Sequence, residues 1–190
     1  MERNRAVKVV LYGNSGAGKS ALATRYVLGS YDSNLPSTIG AAFYAKIINL
    51  NPKLTLNIWD TAGSERYNSL APMYLRGAKI VLLCFEDPNI EDLDRKISKI
   101  KEINLIATIF LVATKMDLSS NLTHPLVDNY ARSNDLKLFY TSSFHGTGIS
   151  ELFDEIYKIG KDSVTDEFDR PIKIERQEEP KKDKPCCGYV

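Results

Sequence analysis

The stretch Gly13-Asn14-Ser15-Gly16-Ala17-Gly18-Lys19-Ser20 decides the fold of this chain. It matches the phosphate-binding loop pattern, in which a glycine and four residues precede Gly-Lys-Ser or Gly-Lys-Thr. The apolar run before it, residues 6–12, predicts a buried strand. The run after it, residues 21–28, predicts a helix that ends at Gly29. Strand, glycine loop and helix N-terminus are the setting that this motif requires.

The residue types of this loop suit the binding of phosphate. Glycines let successive backbone N–H groups turn inward, and the positive end of the helix dipole adds to their field. Lys19 supplies a charge for terminal phosphates, and the Ser20 hydroxyl can ligate Mg²⁺. The alternative is a glycine-rich turn with a surface lysine. The residues that we expect to contact the nucleotide here are Ser15, Gly16, Ala17, Gly18, Lys19, Ser20 and Ala21.

The composition is that of a soluble globular protein: of 190 residues, 43% are hydrophobic and 26% are charged. The net charge of +1 gives no reason to expect a nucleic-acid partner. Every apolar run is far shorter than the roughly 20 residues that span a bilayer. Of the 3 cysteines, two are adjacent near the C-terminus, so no disulfide framework is indicated and we expect a cytoplasmic protein.

Strands and helices alternate along the chain. This order predicts an α/β fold, a doubly wound and mostly parallel six-stranded sheet with one antiparallel edge strand and helices on both faces. Asn89, Thr123 and Ser150 are predicted helix caps. The further predicted strands are residues 42–50, 53–59, 79–85, 108–113 and 136–141. Ligands of such sheets bind at the carboxyl ends of the strands, where the loop motifs converge.

The chain resembles the small GTPases of the Ras superfamily, and most closely the Rabs. Segments 38–43 and 67–74 look like the early-endosomal Rab subgroup. The resemblance covers residues 6–160 and implies a P-loop NTPase fold and a GTP/GDP switch of vesicle traffic that hydrolyses GTP. The motifs that carry it, besides the phosphate loop, are Ser37-Thr38-Ile39-Gly40, Trp59-Asp60-Thr61-Ala62-Gly63, Thr114-Lys115-Met116-Asp117 and Thr141-Ser142-Ser143.

Asp117 is the predicted reader of the base. A carboxylate can accept hydrogen bonds from both N1–H and the exocyclic amine of guanine, a donor pair that adenine does not offer. By resemblance, Lys115 lies against the base plane, the Ser143 N–H faces the guanine oxygen and Tyr31 lies edge-on to the base. Taken alone, Asp117 would better be interpreted as a loop aspartate that caps a turn; the other motifs favour the base reader. The expected base-binding residues are Tyr31, Thr114, Lys115, Asp117, Ser142, Ser143 and Phe144.

The resemblance also implies a phosphate-dependent switch. Thr38 would close over the γ-phosphate and join Ser20 and Asp60 at Mg²⁺, and the Gly63 N–H would bond the γ-phosphate. Loss of one phosphate would then release two loops. The residues assigned to hydrolysis are Lys19, Thr38, Gly63 and Ser64.

Three positions depart from the Rab pattern. Ser64 stands where most Rabs have a glutamine that orients the attacking water, and serine is too short to reach it, so we expect slow hydrolysis. Thr114 replaces the usual asparagine, with some loss of hydrogen bonds between loops. Phe144 replaces the usual lysine and could stack near the base. Guanine preference is expected nevertheless.

Two further segments match Rab features. Phe43, Trp59 and Tyr74 match the aromatic triad that Rabs present to effectors, although Trp59 could instead be covered by a neighbouring loop. Residues 5–161 are predicted to form the GTPase domain and residues 162–190 a disordered tail. Cys186 and Cys187 resemble a doubly prenylated Rab terminus, although Cys187 to Val190 could also pass as a single-prenyl box.

The resemblance implies GTP, GDP and Mg²⁺ as ligands. It implies effectors, an exchange factor, a GTPase-activating protein and a GDP-dissociation inhibitor as partners, and a monomer that cycles from the cytoplasm to endosomal or other vesicle membranes. Ser64 keeps open a second reading, a non-hydrolysing adaptor that stays loaded with GTP. A P-loop nucleotide kinase explains neither Asp117 nor the tail.

Overall fold

The computed structural model describes residues 5–118 and 124–162. Within them, six strands form one sheet in the order β2-β3-β1-β4-β5-β6. Strand β2 pairs antiparallel with β3, and the other pairs are parallel. The predicted fold class is therefore confirmed. The strands are β1 Arg5–Tyr12, β2 Ala41–Ile48, β3 Leu54–Thr61, β4 Ile80–Phe85, β5 Thr108–Ala113 and β6 Lys137–Tyr140.

The helices cover both faces of this sheet. One core joins α1 and α5 to β1, β3 and β4, around Leu22, Leu56 and Phe153. The other joins α2, α3 and α4 to the opposite face, around Leu75, Val81 and Ile97. The helices are α1 Lys19–Leu28, α2 Ala71–Leu75 after a 3₁₀ turn at Glu65–Leu70, α3 Ile90–Ile103, α4 Pro125–Ser133 and α5 Ile149–Lys161.

Several local signals are confirmed. Gly29 ends α1 in the left-handed conformation, with φ 74°. The Asn89 side chain accepts a hydrogen bond from the Asp92 N–H and so caps α3. In β3, alternate residues such as Leu56 and Ile58 are fully buried, as the period of two predicted. These signals act within a few residues, which is why the sequence shows them.

The predicted cap of the last helix is wrong. Helix α5 begins at Ile149 with Gly148 as its N-cap, so Ser150 lies inside the first turn. Gly148 has φ 71°, and a Cβ there would lie 2.0 Å from the Tyr140 carbonyl oxygen, so no other residue fits. The predicted cap Thr123 lies outside the described residues. The residue before α4 is His124.

Candidate functional site

The loops at the carboxyl ends of β1, β3, β5 and β6 enclose one cavity of about 590 Å³. Its wall combines the phosphate loop, the segment between α1 and β2, the segment after β3 and the loops after β5 and β6. The predicted site residues on this wall are Ser15, Gly16, Ala17, Gly18, Lys19, Ser20, Ala21, Tyr31, Thr38, Gly63, Ser64, Thr114, Lys115, Asp117, Ser143 and Phe144. Segments that are far apart in the sequence therefore share one site.

Lys19 is the charged group at the glycine-loop end. Its side chain is buried, and Nζ donates to the carbonyl oxygens of Gly13 and Asn14 at 3.0 and 2.7 Å. Burial lowers the pKa of Lys19, while the neighbouring Cys84 and Asp60 raise it. Held by neutral carbonyls, this ammonium is available to an anion in the cavity.

The segment after β3 lies directly against the phosphate loop. A Cβ at Gly63 would come within 2.4 Å of the Asn14 carbonyl group and of the Ser15 nitrogen. Only glycine permits this approach of two backbones. It places Gly63 against the phosphate loop, and both Gly63 and Ser64 line the cavity that this loop lines.

Three oxygen-bearing side chains meet beside this end. Ser20 Oγ and Thr38 Oγ1 are hydrogen-bonded at 2.8 Å, and Thr38 Oγ1 donates to Asp60 Oδ2 at 3.4 Å. Asp60 is buried behind the wall of the cavity, and burial raises its pKa, opposed by the nearby Ser20 and Thr38 hydroxyls and by the charge of Lys19.

This group fits a magnesium ion. Among the described residues, Asp60 Oδ1 has no hydrogen-bond partner although it is buried. A buried carboxylate oxygen without a partner is costly unless a cation or a donor satisfies it. Carboxylate and hydroxyl oxygens are the hard ligands that Mg²⁺ prefers, with phosphate oxygens and water completing its octahedron.

The other end of the cavity holds the predicted base reader. Asp117 Oδ1 accepts a hydrogen bond from Ser142 Oγ at 2.5 Å, and Ser142 is buried behind the wall. Ser142 therefore orients Asp117, while Ser143 reaches the wall itself. Lys115 also lines the cavity; it has φ 55°, and its Nζ donates to Glu86 Oε2 at 2.7 Å.

The aromatic triad lies on a different surface. Phe43 on β2 and Tyr74 on α2 flank Trp59 on β3, with ring centroids 5.1 and 5.6 Å from that of Trp59. Trp59 is half-buried by these rings, and Lys8 Nζ lies 5.7 Å from its ring centroid. The rings form one contiguous aromatic patch, which we call the aromatic surface.

Sequence reasoning missed part of the wall. Of the extra residues, Ser37 and Ile39 stand in a motif that was quoted without being assigned to the site, and Arg66 and Tyr67 lie in the 3₁₀ turn after β3. The others belong to loops whose ends were identified, so the signal was the loop itself and not a residue type. The extra residues are Asp32, Ser33, Leu35, Pro36, Ser37, Ile39, Arg66, Tyr67 and Leu118. It also missed Asp92, whose Oδ2 accepts from Asn14 Nδ2 at 3.0 Å and ties α3 to the phosphate loop.

Two expectations concern attachment to membranes: prenylation of the C-terminal cysteines and the lack of a membrane-spanning segment. Cys186 and Cys187 lie outside the described residues, as does almost all of the predicted tail. Within residues 5–118 and 124–162, no helix combines the length and apolar character needed to cross a bilayer.

Comparison with known proteins agrees with this geometry. Residues 8–161 match the Ras family. The chain is 38% identical over 162 residues to the Ras-related protein Rab5 of Nicotiana tabacum, covering 82% of this chain and 81% of that protein. It is also 38% identical over 160 residues to Rab-5A of Dictyostelium discoideum, covering 80% and 79%, and to the GTP-binding protein ypt5 of Schizosaccharomyces pombe, covering 80% and 76%. The chain therefore belongs to the Ras family, as a Rab small GTPase of the early-endosomal type.

Proposed function

We propose that this Rab GTPase of vesicle trafficking binds GTP and GDP in the cavity of about 590 Å³ and hydrolyses GTP slowly. The observation that supports the proposal most is the composition of the wall. A glycine loop with a buried lysine lies at one end and Asp117 at the other. Between them lie the irregular segment of residues 30–40 and the segment after β3, which continues into the 3₁₀ turn Glu65–Leu70. That arrangement suits a nucleotide with its phosphates on the helix N-terminus.

Lys19 and the loop backbone would hold the phosphates. Lys19 Nζ would exchange its bonds to the Gly13 and Asn14 carbonyls for bonds to the β- and γ-phosphates. The wall residues Ser15, Gly16, Ala17, Gly18 and Ala21 would contribute backbone contacts.

Ser20, Thr38 and Asp60 would hold Mg²⁺, Asp60 through a bound water. When bound, the ion neutralises charge on the phosphate oxygens. Thr38 belongs to the segment between α1 and β2, so its hydroxyl would bring that segment to the γ-phosphate. Gly63 would bring the segment after β3 to the same group. GDP has no γ-phosphate and would make neither contact, so the two segments would be released from the phosphate end of the cavity.

At the base end, Asp117 would accept from the two guanine donors, held in place by the Ser142 hydroxyl at 2.5 Å. Lys115 would lie along the base plane, and the Ser143 N–H would donate to the guanine oxygen. Tyr31, Thr114 and Phe144 complete this part of the wall.

Hydrolysis would be slow because Ser64 is too short to orient water. In the reaction, a water oxygen forms a bond to the γ-phosphorus and the bond to the β-phosphate oxygen breaks. Lys19 and the Gly63 N–H stabilise the charge on the phosphate oxygens, but the water must be aligned by another group. A partner that supplies glutamine and arginine side chains would restore turnover.

Ser64 also supports a second candidate, a persistently GTP-loaded adaptor. In that case the protein would hydrolyse almost nothing and would act as a scaffold for partners. The nucleotide content of the purified protein distinguishes the two, because an adaptor would carry GTP and a slow switch would carry mostly GDP.

The aromatic surface would bind effectors in the GTP form. Phe43, Trp59 and Tyr74 flank the two segments that respond to the γ-phosphate, so their arrangement would depend on the nucleotide. The other expected partners are an exchange factor, a GTPase-activating protein and a GDP-dissociation inhibitor. We expect the protein to act as a monomer.

Residues 5–161 would form the GTPase domain, and residues 162–190 would serve as a tether. Prenyl groups on Cys186 and Cys187 would attach it to endosomal or other vesicle membranes from the cytoplasm. One lipid chain gives only marginal membrane binding, which favours two.

The decisive experiment is a titration of nucleotide-free protein with GTP, GDP and ATP, with Mg²⁺ present. We expect tight binding of both guanine nucleotides and at least about 100-fold weaker binding of ATP, because adenine offers no donor pair to Asp117. Comparable affinities for GTP and ATP would overturn the assignment of Asp117. Pull-down from cytosol with GTP-loaded and GDP-loaded protein then identifies the partners that depend on the γ-phosphate.

A further inference from the structure

Tyr31 and Phe144, from two different loops, form a ring pair in the wall of the cavity. Their ring centroids are 5.4 Å apart and their planes are 80° to each other, an edge-to-face pair. This is the geometry that aromatic rings favour, because the positive edge of one ring faces the negative face of the other. Both rings line the cavity, on the side of Asp117.

The two rings lie on loops that differ in how many hydrogen bonds hold them. Phe144 sits in a loop with a dense hydrogen-bond network around Ser142. The Ser142 hydroxyl accepts from the His145 N–H at 3.1 Å, its carbonyl accepts from the Gly146 N–H at 2.7 Å, and its own N–H donates to the Thr147 carbonyl at 3.1 Å. The same hydroxyl holds Asp117. Phe144 is therefore carried by the platform that orients the base reader.

Tyr31 stands on a different kind of segment. Residues 30–40 form neither helix nor strand, and most of their side chains are exposed. Tyr31 is 40% exposed and Phe144 55%, so neither ring is buried in the core. A loop of this kind is held by few contacts, and an anchor on a rigid neighbour restrains it. The Phe144 ring is such an anchor, at the end of the loop nearest to α1.

We propose that Phe144 is a positioning residue that latches Tyr31 and so keeps residues 30–40 closed over the base end of the site. The inference rests on the proposed nucleotide site. In this proposal a base leaves the cavity between Tyr31 and Phe144, so the ring pair separates first. The latch thereby slows release of the nucleotide and links the base-binding loop after β6 to the segment that carries Thr38.

Release of a fluorescent GDP analogue tests the latch. The full chain, loaded with the analogue and Mg²⁺, is chased with excess GDP for the wild type, Tyr31→Ala, Phe144→Ala and the double variant. We expect each single change to speed release. The double change should release GDP about threefold to tenfold more slowly than the product of the two effects, the coupling typical of an aromatic pair. Effects that multiply would overturn the proposal.

Three further variants distinguish a contact between the two rings from a general effect on the structure. Phe144→Tyr keeps the ring and should retain slow release, whereas Phe144→Leu keeps apolar volume without a ring and should release as fast as Phe144→Ala. If Phe144→Ala does not fold, the cycle is run with Phe144→Leu. Leu105→Ala removes another exposed apolar side chain, 80% exposed, and should leave release unchanged. Slow release by Phe144→Leu would also overturn the latch.

The same experiment separates the latch from the proposed function. If the wild type does not retain GDP at all, the nucleotide site itself is wrong. If it retains GDP but the single effects multiply, the site stands and only the latch fails.

Discussion

The Thr114 hydroxyl lies 3.1 Å from the carbonyl oxygen of Ala17, a residue of the phosphate loop. It also lies 3.0 Å from the Phe85 carbonyl, and its one hydrogen is shared between the two. Thr114 is buried and begins the loop that carries Asp117. The side chain that replaces the usual asparagine therefore still connects the phosphate end of the cavity to the base end.

Thr114→Val tests this connection with almost no change in shape. The variant removes the hydroxyl donor of the buried Ala17 residue's carbonyl oxygen, whereas the Phe85 carbonyl keeps the Thr114 N–H at 2.8 Å. We expect the free energy of unfolding to fall by about 1–2 kcal/mol. Urea denaturation of the GDP-bound protein measures it. Thr114→Ser keeps the hydroxyl and should retain most of the stability. Equal stability of the valine and wild-type proteins would show that the hydrogen bond contributes nothing.

Ser64→Gln should accelerate intrinsic hydrolysis. The longer amide side chain can reach the attacking water from the same backbone position, and we expect a rise of about tenfold or more in the single-turnover rate. Phosphate release from GTP-loaded protein measures it. Ser64→Ala is the matched control and should hydrolyse at the wild-type rate. Equal rates for Ser64→Gln and wild type would show that this position does not limit turnover.

Asp60→Asn should change the melting temperature in opposite directions with and without magnesium. The buried carboxylate has an oxygen without a partner among the described residues, so neutralising it removes a cost in the metal-free protein. We expect Asp60→Asn to melt at a higher temperature than wild type in a chelator. With Mg²⁺ and GDP the order should reverse, because the ion loses its carboxylate. Thermal melting in both buffers measures it, and the same order in both would remove Asp60 from the metal site.

Trp59→Ala should separate partner binding from nucleotide binding. The ring packs between Phe43 and Tyr74 on the aromatic surface, away from the cavity wall. We expect a loss of at least about 2 kcal/mol in the binding of partners captured only by GTP-loaded wild type, with GTP affinity unchanged. Titrations of one such partner and of GTP give both values, and Leu105→Ala is the control. If GTP binding weakens equally, the ring supports the fold instead.

The strands and helices were predictable because their signals are local. The apolar run of β5 and the Asn89 cap of α3 each depend on residues within a few positions of one another. The structure has both at the predicted residues. The start of α5 was not predictable in this way. Gly148 serves as its cap because the Tyr140 carbonyl oxygen occupies the space that a side chain would need. Tyr140 is the last residue of β6, so this contact depends on how β6 packs and not on the residues around Gly148.

The motifs were sufficient to indicate the family, the sheet and the two ends of the nucleotide site, since each motif is a short run of residues with its own chemistry. Partnerships between distant segments emerged only from the folded chain. Ser142 with Asp117, Tyr31 with Phe144 and Thr38 with Asp60 are contacts across the crevice. These residues are far apart in the sequence. They come into contact only because the packed strands bring the loops at their carboxyl ends together at one edge of the sheet.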